Sequence, residues 1–148
     1  MIAATAPALP ADLVESLRRL RLATMREQAA DVLQTARTQR WGAEDVLRRL
    51  LEAEIAARDA ANRRIRLKQG GFPVLETLEA FKVADSSIPR PTFEYLASLE
   101  WVRAKENLRL IGPPGTGKSH TRVGCGVRAV ERGMKVRYLV AADLIETL

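Results

Sequence analysis

Eight consecutive residues in the last third of the chain have the types and spacing that bind a chain of phosphates. The segment Gly112-Pro113-Pro114-Gly115-Thr116-Gly117-Lys118-Ser119 fits the pattern G-x-x-x-x-G-K-[ST]. Its glycines allow the backbone to bend around an anion and to direct several N–H groups at it. A helix that follows would point its positive end at the same place. This pattern predicts a phosphate-binding P-loop.

Each polar residue of the motif has a separate expected task. Lys118 would reach the β- and γ-phosphates of a nucleotide, and the Ser119 hydroxyl would complete the ligand shell of a Mg²⁺ ion that bridges them. His120 follows directly, and with no acid or nucleophile near it in the sequence we interpret it as a neighbour of the loop rather than a base. The motif therefore predicts that residues 112–120 form a site for the phosphates of a nucleotide and Mg²⁺; the cofactor becomes ATP with Mg²⁺ on the resemblance described below.

Hydrolysis of a bound nucleotide needs an acidic residue at the end of a second strand, and often an arginine from a neighbouring subunit. Asp143 is the candidate acid, but it stands just before Leu144-Ile145-Glu146, where it is typical of a helix cap. We therefore expect the catalytic acid to be absent from this chain.

The segments around the motif favour an α/β fold for the end of the chain. A short apolar run at 108–111 predicts a strand, the loop follows, a helix is predicted to about Arg132, and a second strand is predicted from Lys135 to Val140. Strand, loop, helix and strand in this order indicate a parallel sheet with a right-handed crossover. Such an incomplete sheet would expose an apolar edge and favour aggregation.

The first seventy residues predict an all-helical domain. Apolar spacing indicates one helix capped by Asp12, a second from about Met25 to Arg40, and a third from about Ala43 to Gln69. Gly70 and Gly71 end the third helix. Its apolar stripe contains Val46, Leu47, Leu50, Leu51, Ile55, Ala61 and Ile65.

Prolines and serines divide the chain after these helices. We predict a helical domain over 1–71, a linker with short helices over 72–106, and the P-loop domain over 107–148. One of the linker helices is expected to begin with Thr92 as its N-cap and to end near Lys105.

The charge balance favours a polyanionic partner. The 148 residues include 24 Lys and Arg against 18 Asp and Glu, a net charge of +6. The densest basic cluster lies at the end of the third helix, where it would contact the phosphates of double-stranded DNA; the alternative is a solvated helix end whose cations complement the helix dipole. The cluster consists of Arg63, Arg64, Arg66 and Lys68.

Several classes of protein are disfavoured by the composition. The single cysteine, Cys125, cannot close a disulfide within the chain, and with one histidine there is no ligand set for a structural zinc. The sequence has no apolar run of the roughly 20 residues that cross a bilayer, and its start lacks the pattern of a secretion signal. We expect a cytoplasmic protein without a membrane partner.

Blocks of sequence outside the P-loop make the chain similar to a known family. The chain resembles the N-terminal part of the IstB-type transposition helper ATPases, which are AAA+ proteins related to the helicase loader DnaC. The similarity extends from about Leu17 to Leu148. The segments that carry it are Leu20-Arg21-Leu22 with Met25, Leu50-Leu51-Glu52-Ala53-Glu54, Gly71-Phe72-Pro73, Thr77-Leu78-Glu79-Ala80-Phe81, Glu106-Asn107-Leu108-Arg109-Leu110-Ile111 and Ala141-Ala142-Asp143-Leu144.

This resemblance implies an ATP-dependent, DNA-binding protein that assembles into homo-oligomers and assists a transposase. The helical domain would then serve assembly or contact with DNA or a partner. Relatives continue beyond the position of Leu148 through an acidic motif, a sensor residue and an arginine finger, so we expect a truncated AAA+ domain that does not hydrolyse ATP alone. The chain also departs from the family at Thr121 and Arg122, where similar proteins favour Leu and Ala.

Two other functions remain open from the sequence. A DnaC-like loader of a replicative helicase would share the same motifs but act with a different partner. A non-catalytic module would use only residues 11–70 to bind DNA or a partner, with the P-loop vestigial.

The two helical glycines Gly124 and Gly126, each costing about 1 kcal/mol relative to alanine, favour a poorly stable P-loop domain.

Overall fold

The computed structural model describes residues 7–146, which form two compact units. The first unit ends at Asn62 and the second begins at Arg63. Within the described range no helix is both long and apolar enough to cross a membrane. The helices are α1 (Ala11–Arg19), α2 (Ala23–Gln39), α3 (Ala43–Gln69), α4 (Arg90–Ser98), α5 (Glu100–Arg103), α6 (Lys118–Glu131) and α7 (Ala141–Glu146), with one turn of 3-10 helix at Val83–Asp85.

The three N-terminal helices are confirmed, and α3 has the predicted bounds. A small apolar core of Met25, Ala29 and Leu50 joins α2 to α3. The prediction that Asp12 is the N-cap of α1 is wrong. Pro10 occupies that position. Asp12 lies in the first turn, where its negative charge interacts favourably with the positive end of the helix dipole.

A buried carboxylate fixes the start of α2 against α3. Glu54 is only 7% exposed. Its Oε2 accepts a hydrogen bond from the backbone N–H of Met25 at 3.0 Å. Met25 is the third residue of α2, so this N–H has no partner within its own helix. Arg58 completes the arrangement by donating to Glu54 Oε1 at 3.4 Å and to the carbonyl oxygen of Arg21 at 3.2 Å.

Only part of the predicted apolar stripe of α3 packs inside the first unit. Leu50 is buried and Val46 packs beside it. Leu47, Leu51 and Ile55 are 55%, 42% and 58% exposed. The stripe is wider than the surface that α1 and α2 cover in the described residues.

The second unit is built around α6. Its core contains Leu78, Leu96 and Leu99 from the segment 72–106, and Cys125 and Ala129 from α6. This segment, predicted as a linker with short helices, therefore supplies most of the buried side chains that pack on α6.

The short helices of this segment have different bounds from those predicted. Thr92 is not an N-cap, because α4 begins at Arg90 directly after Pro89. The helix then stops at Leu99, whose φ of +58° is left-handed and separates α4 from α5.

The predicted strands are wrong for the part of the chain that the structure describes. Residues 106–113 and 134–140 have no regular secondary structure, and no sheet is present within 7–146. A strand depends on a ladder of backbone hydrogen bonds to a neighbouring strand. In the second segment the Tyr138 N–H donates instead to the Gly70 carbonyl oxygen at 2.7 Å, and the Met134 N–H donates to the Ala129 carbonyl oxygen at 2.9 Å. Of the predicted α/β arrangement, the loop and its following helix are present.

The apolar side chains of these two segments differ in exposure: Met134 and Val136 pack on the core of the second unit, whereas others are exposed. Ile111 is 91% exposed, and Val140 is 55% exposed. They face solvent because no strand is paired beside them within the described residues.

Candidate functional site

The P-loop forms the wall of a cleft at the start of α6. Gly115 and Gly117 both have a φ of +80°, a left-handed conformation that glycine adopts without a steric penalty. The first N–H that bonds within the helix is that of Thr121, which donates to the Gly117 carbonyl oxygen at 2.9 Å. The N–H groups before it are those that a helix offers to an anion. The cleft has a volume of about 670 Å³ and is lined by Gly112, Pro114, Gly115, Gly117, Lys118, Ser119 and His120.

Pro113 and Thr116, the two motif residues that do not line the cleft, contact the side chain of Lys118. Lys118 Nζ donates to the carbonyl oxygen of Pro113 and lies 3.3 Å from Thr116 Oγ1. Thr116 Oγ1 in turn donates to the Pro113 carbonyl oxygen at 3.0 Å. The ammonium group therefore rests on the loop itself, where an incoming phosphate oxygen would replace neutral acceptors with a charged one.

The arrangement fits a polyphosphate. Gly112, Gly115 and Gly117 line the cleft without side chains, so the backbone itself forms that part of its wall. Ser119 is exposed at the cleft, as a hydroxyl must be to share a metal ion with a ligand. The described residues contain no group of three or more His, Cys, Asp or Glu side chains suited to a metal.

His120 has partners that sequence reasoning missed. Its Nε2 lies 2.8 Å from the carbonyl oxygen of Thr77, and its Nδ1 lies 3.5 Å from Glu76 Oε2. The expectation that no acid stands near His120 is therefore wrong. The two segments are far apart in the sequence, and no spacing pattern joins them.

Phe81 is a second residue that the motif does not indicate. Its ring lies against Gly117, with Cε2 only 2.5 Å from the position that a Cβ would occupy. The block Thr77 to Phe81 carries part of the family resemblance, but no chemical property of Phe81 indicates a place beside the loop.

Thr121 and Arg122, the positions that depart from the family pattern, both have defined contacts. The Thr121 side chain is fully buried, and its hydroxyl donates to the Gly117 carbonyl oxygen at 3.0 Å. Arg122 donates to the Tyr138 hydroxyl, and its guanidinium carbon lies 4.6 Å from the centre of the Tyr138 ring.

A second cavity of about 420 Å³ adjoins the phosphate cleft and shares two residues with it, Lys118 and Ser119. Cys125 lies at its wall, and burial raises the pKa of that thiol to about 11. The thiol is therefore neutral at ordinary pH and acts as a small apolar group. The remaining residues that line the cavity are Trp101, Glu106, Asn107, Leu108, Leu110 and Arg122.

The four basic residues at the end of α3 differ in their surroundings. Arg63 lies 3.8 Å from the carboxylate of Glu131. Arg66 is half-buried, and a Cβ at Gly133 would lie 3.5 Å from its guanidinium. Arg64 and Lys68 are exposed. Arg64 and Lys68 are thus the two whose charge is presented most openly to solvent.

Comparison with known proteins identifies the family. Residues 15–148 match the family described as IstB-like ATP binding protein. The chain belongs to this family. The match includes the entire P-loop cleft and all the residues that contact it. It also includes α2, α3 and the basic residues at the end of α3.

Curated relatives carry names that describe them as ATP-binding proteins of insertion sequences. The one from IS5376 of Geobacillus stearothermophilus is 33% identical over 90% of this chain. The one from IS21 of Pseudomonas aeruginosa is 33% identical over 89% of this chain. A third, from an insertion sequence of Mycobacterium tuberculosis, is 31% identical over 90% of this chain. The chain spans about half the length of these relatives, from 50% to 54%.

Proposed function

We propose that this family member binds ATP with Mg²⁺ at residues 112–120. The observation that carries the proposal is the cleft at the start of α6, where left-handed glycines, helix N–H groups and the Lys118 ammonium converge on one space. Its relatives are named as ATP-binding proteins, which supports a nucleotide rather than an isolated phosphate.

The residues divide the work by their chemistry. The loop backbone would cradle the phosphates, and Lys118 would leave the Pro113 carbonyl to contact the β- and γ-phosphates. A bound Mg²⁺ would neutralise phosphate charge, with the Ser119 hydroxyl as its protein ligand. His120 would remain on Thr77 and Glu76, so its part is to shape the cleft.

Hydrolysis is not part of the proposal. Asp143, the candidate acid in the sequence, lies in the first turn of α7 rather than at its N-cap, since the helix begins at Ala141. An acid in the first turn stabilises a helix through the helix dipole.

We also propose the domain organisation and partners that the resemblance implies. Residues 1–71 would form a helical assembly or contact domain, 72–106 a connecting segment, and 107–148 the AAA+ ATP-binding part. The protein would act with a transposase on double-stranded DNA and would form homo-oligomers. The relatives come from insertion sequences, which favours a transposase over a replicative helicase as the partner.

Titration with a fluorescent ATP analogue and Mg²⁺ tests the nucleotide proposal. Saturable binding is expected in the natural chain and a loss of at least roughly tenfold in affinity in Lys118→Ala, since a charged group that binds phosphate is removed. Lys135→Ala is the matched control, because it removes one exposed lysine of the same unit outside the cleft. Equal affinity in both variants, or no binding by the natural chain, would contradict the proposal.

The vestigial P-loop alternative makes a different prediction. If residues 11–70 alone carried the function, DNA binding would be the same with and without ATP. An increase in DNA affinity on adding Mg·ATP, absent in Lys118→Ala, would exclude that alternative.

A further inference from the structure

An aromatic ring packs against the last glycine of the P-loop. The Phe81 ring fills the space where a side chain on residue 117 would be, at 2.5 Å from the ideal Cβ position of Gly117. On its other sides, Phe81 stacks on Phe93, with ring centres 5.4 Å apart, and meets the His120 ring at 5.2 Å. The ring is therefore wedged between α4 and the beginning of α6.

Hydrogen bonds fix the same segment to the helix just after the loop. His120 Nε2 bonds to the Thr77 carbonyl oxygen at 2.8 Å, which requires Nε2 to carry the proton. Thr77 Oγ1 accepts the Ala80 N–H at 3.3 Å and so holds the turn that leads to Phe81. Residues 77–81 thus contact both Gly117, at the end of the loop, and the third residue of α6.

The position of this contact matters because Gly117 joins the loop to the helix. Its φ of +80° sets the direction in which the first N–H groups of α6 point. Thr121 holds Gly117 from its carbonyl side, through both its N–H and its hydroxyl. The ring of Phe81 closes the side on which a Cβ would lie. Without the ring, the glycine would have access to other conformations, and a change at this position would redirect the N–H donors that follow it.

We propose that Phe81 is a positioning residue for phosphate binding, which holds Gly117 in the conformation that directs the N–H groups of α6 into the cleft. The inference rests on the proposed ATP site and deepens it. A loop that already has its binding conformation loses little conformational entropy when the ligand binds. Loss of the ring should therefore weaken phosphate binding, because the loop must then be ordered on binding, although no group that touches the ligand is removed.

The same unit contains a matched aromatic packing site away from the loop. Phe72 packs on Gly126 of α6 with Cε1 at 2.6 Å from the ideal Cβ position, much as Phe81 packs on Gly117. Both are half-buried phenylalanines. Truncation of Phe72 therefore measures the general effect of removing such a ring, and the difference between the two variants measures the effect on the loop.

The test compares Phe81→Ala, Phe72→Ala and the natural chain. Each is titrated with the fluorescent ATP analogue and Mg²⁺, and inorganic tripolyphosphate is used as a competitor. Phe81→Ala is expected to lower the affinity for both ligands by a similar factor, roughly tenfold or more, whereas Phe72→Ala should keep its affinities within about twofold of those of the natural chain. The two variants should show comparable decreases in Tm. Phe81→Leu refills much of the space and should recover most of the affinity. If Phe81→Ala does not fold, Phe81→Val is the test variant: its smaller apolar side chain leaves part of the space empty, so it should lose part of the affinity, and unchanged affinity in it would overturn the inference.

Three results would overturn the inference. Equal decreases of affinity in Phe72→Ala and Phe81→Ala would show only a general effect of packing. A decrease confined to the ATP analogue, with tripolyphosphate unaffected, would make Phe81 a contact for the nucleoside. Unchanged affinity in both Phe81→Ala and Phe81→Leu would remove any role. Failure of the natural chain to bind either ligand would be a different result, since it overturns the proposed function and this inference with it.

Discussion

At the scale of single residues, replacement of Glu54 should lower the stability of the first unit. Its carboxylate is buried, caps the N–H of Met25 and pairs with Arg58. Glu54→Ala should lower the free energy of unfolding by about 2–3 kcal/mol, because a charged acceptor is removed and a buried donor is left unpaired. Guanidinium denaturation followed by circular dichroism measures this. Glu52→Ala, at an exposed position on the same helix, should change it by less than about 0.5 kcal/mol.

Cys125 should make the second unit less stable at high pH. Burial raises the pKa of its thiol to about 11, above the value of an exposed thiol. The folded state therefore holds the proton more tightly, and its stabilising effect is complete below about pH 9 and is lost as pH rises through about 11. Tyr95, whose pKa is raised by its hydrogen bond to Glu106, contributes in the same direction.

Denaturation curves from pH 8 to pH 11 for the natural chain and Cys125→Ala separate the two contributions. The slope of stability against pH should be shallower in the variant, because the tyrosine remains and the thiol does not. Parallel slopes would show that the thiol does not titrate with folding.

At the scale of elements, the glycines of α6 allow Leu78 and Phe72 to pack closely on the helix. From the sequence, Gly124 and Gly126 indicate a weak helix, since each lacks the helix propensity of alanine. In the structure a Cβ at Gly124 would lie 3.2 Å from the backbone nitrogen of Leu78 and 2.8 Å from its Cδ2. The glycines thus lower the helix propensity of α6, but they also leave a surface without side chains on which the segment 72–81 packs closely.

Gly124→Ala should therefore destabilise the second unit although it improves helix propensity. We expect a decrease in stability of about 1–3 kcal/mol from overpacking against Leu78. The double variant Gly124→Ala with Leu78→Ala tests the cause, because removing the Leu78 side chain relieves the closest approach. The measured decrease in the double variant should be smaller than the sum of the single decreases. Additive effects would contradict a direct clash between these residues.

The elements that the sequence predicts well are those determined by local spacing. The periodicity of α3 and its terminal glycine predict Ala43–Gln69 correctly because a helix is built from contacts a few residues apart. The segments at 108–111 and 135–140 have the composition of strands, yet composition does not supply a neighbouring strand. The residue types of the P-loop are also local. The contacts of Phe81 and Glu76 with it are not, because only the fold brings them beside Gly117 and His120.

At the scale of the whole molecule, the net charge of +6 favours any polyanion, so a test of the proposed DNA binding must separate local from overall electrostatic effects. The structure distinguishes residues within the basic cluster of α3. Arg63 has Glu131 as a partner, whereas Arg64 and Lys68 are exposed to solvent. Binding to a DNA phosphate should therefore depend most on Arg64 and Lys68.

The double variant Arg64→Gln with Lys68→Gln should weaken binding to duplex DNA of any sequence. The slope of log affinity against log salt concentration should become shallower by about 2, one for each DNA phosphate that is no longer neutralised by a cation of the protein. The control, Arg19→Gln with Arg37→Gln, removes the same charge from exposed positions on α1 and α2. It should leave the slope nearly unchanged. A similar fall in both double variants would show that the net charge alone attracts DNA and that the end of α3 is a solvated helix terminus.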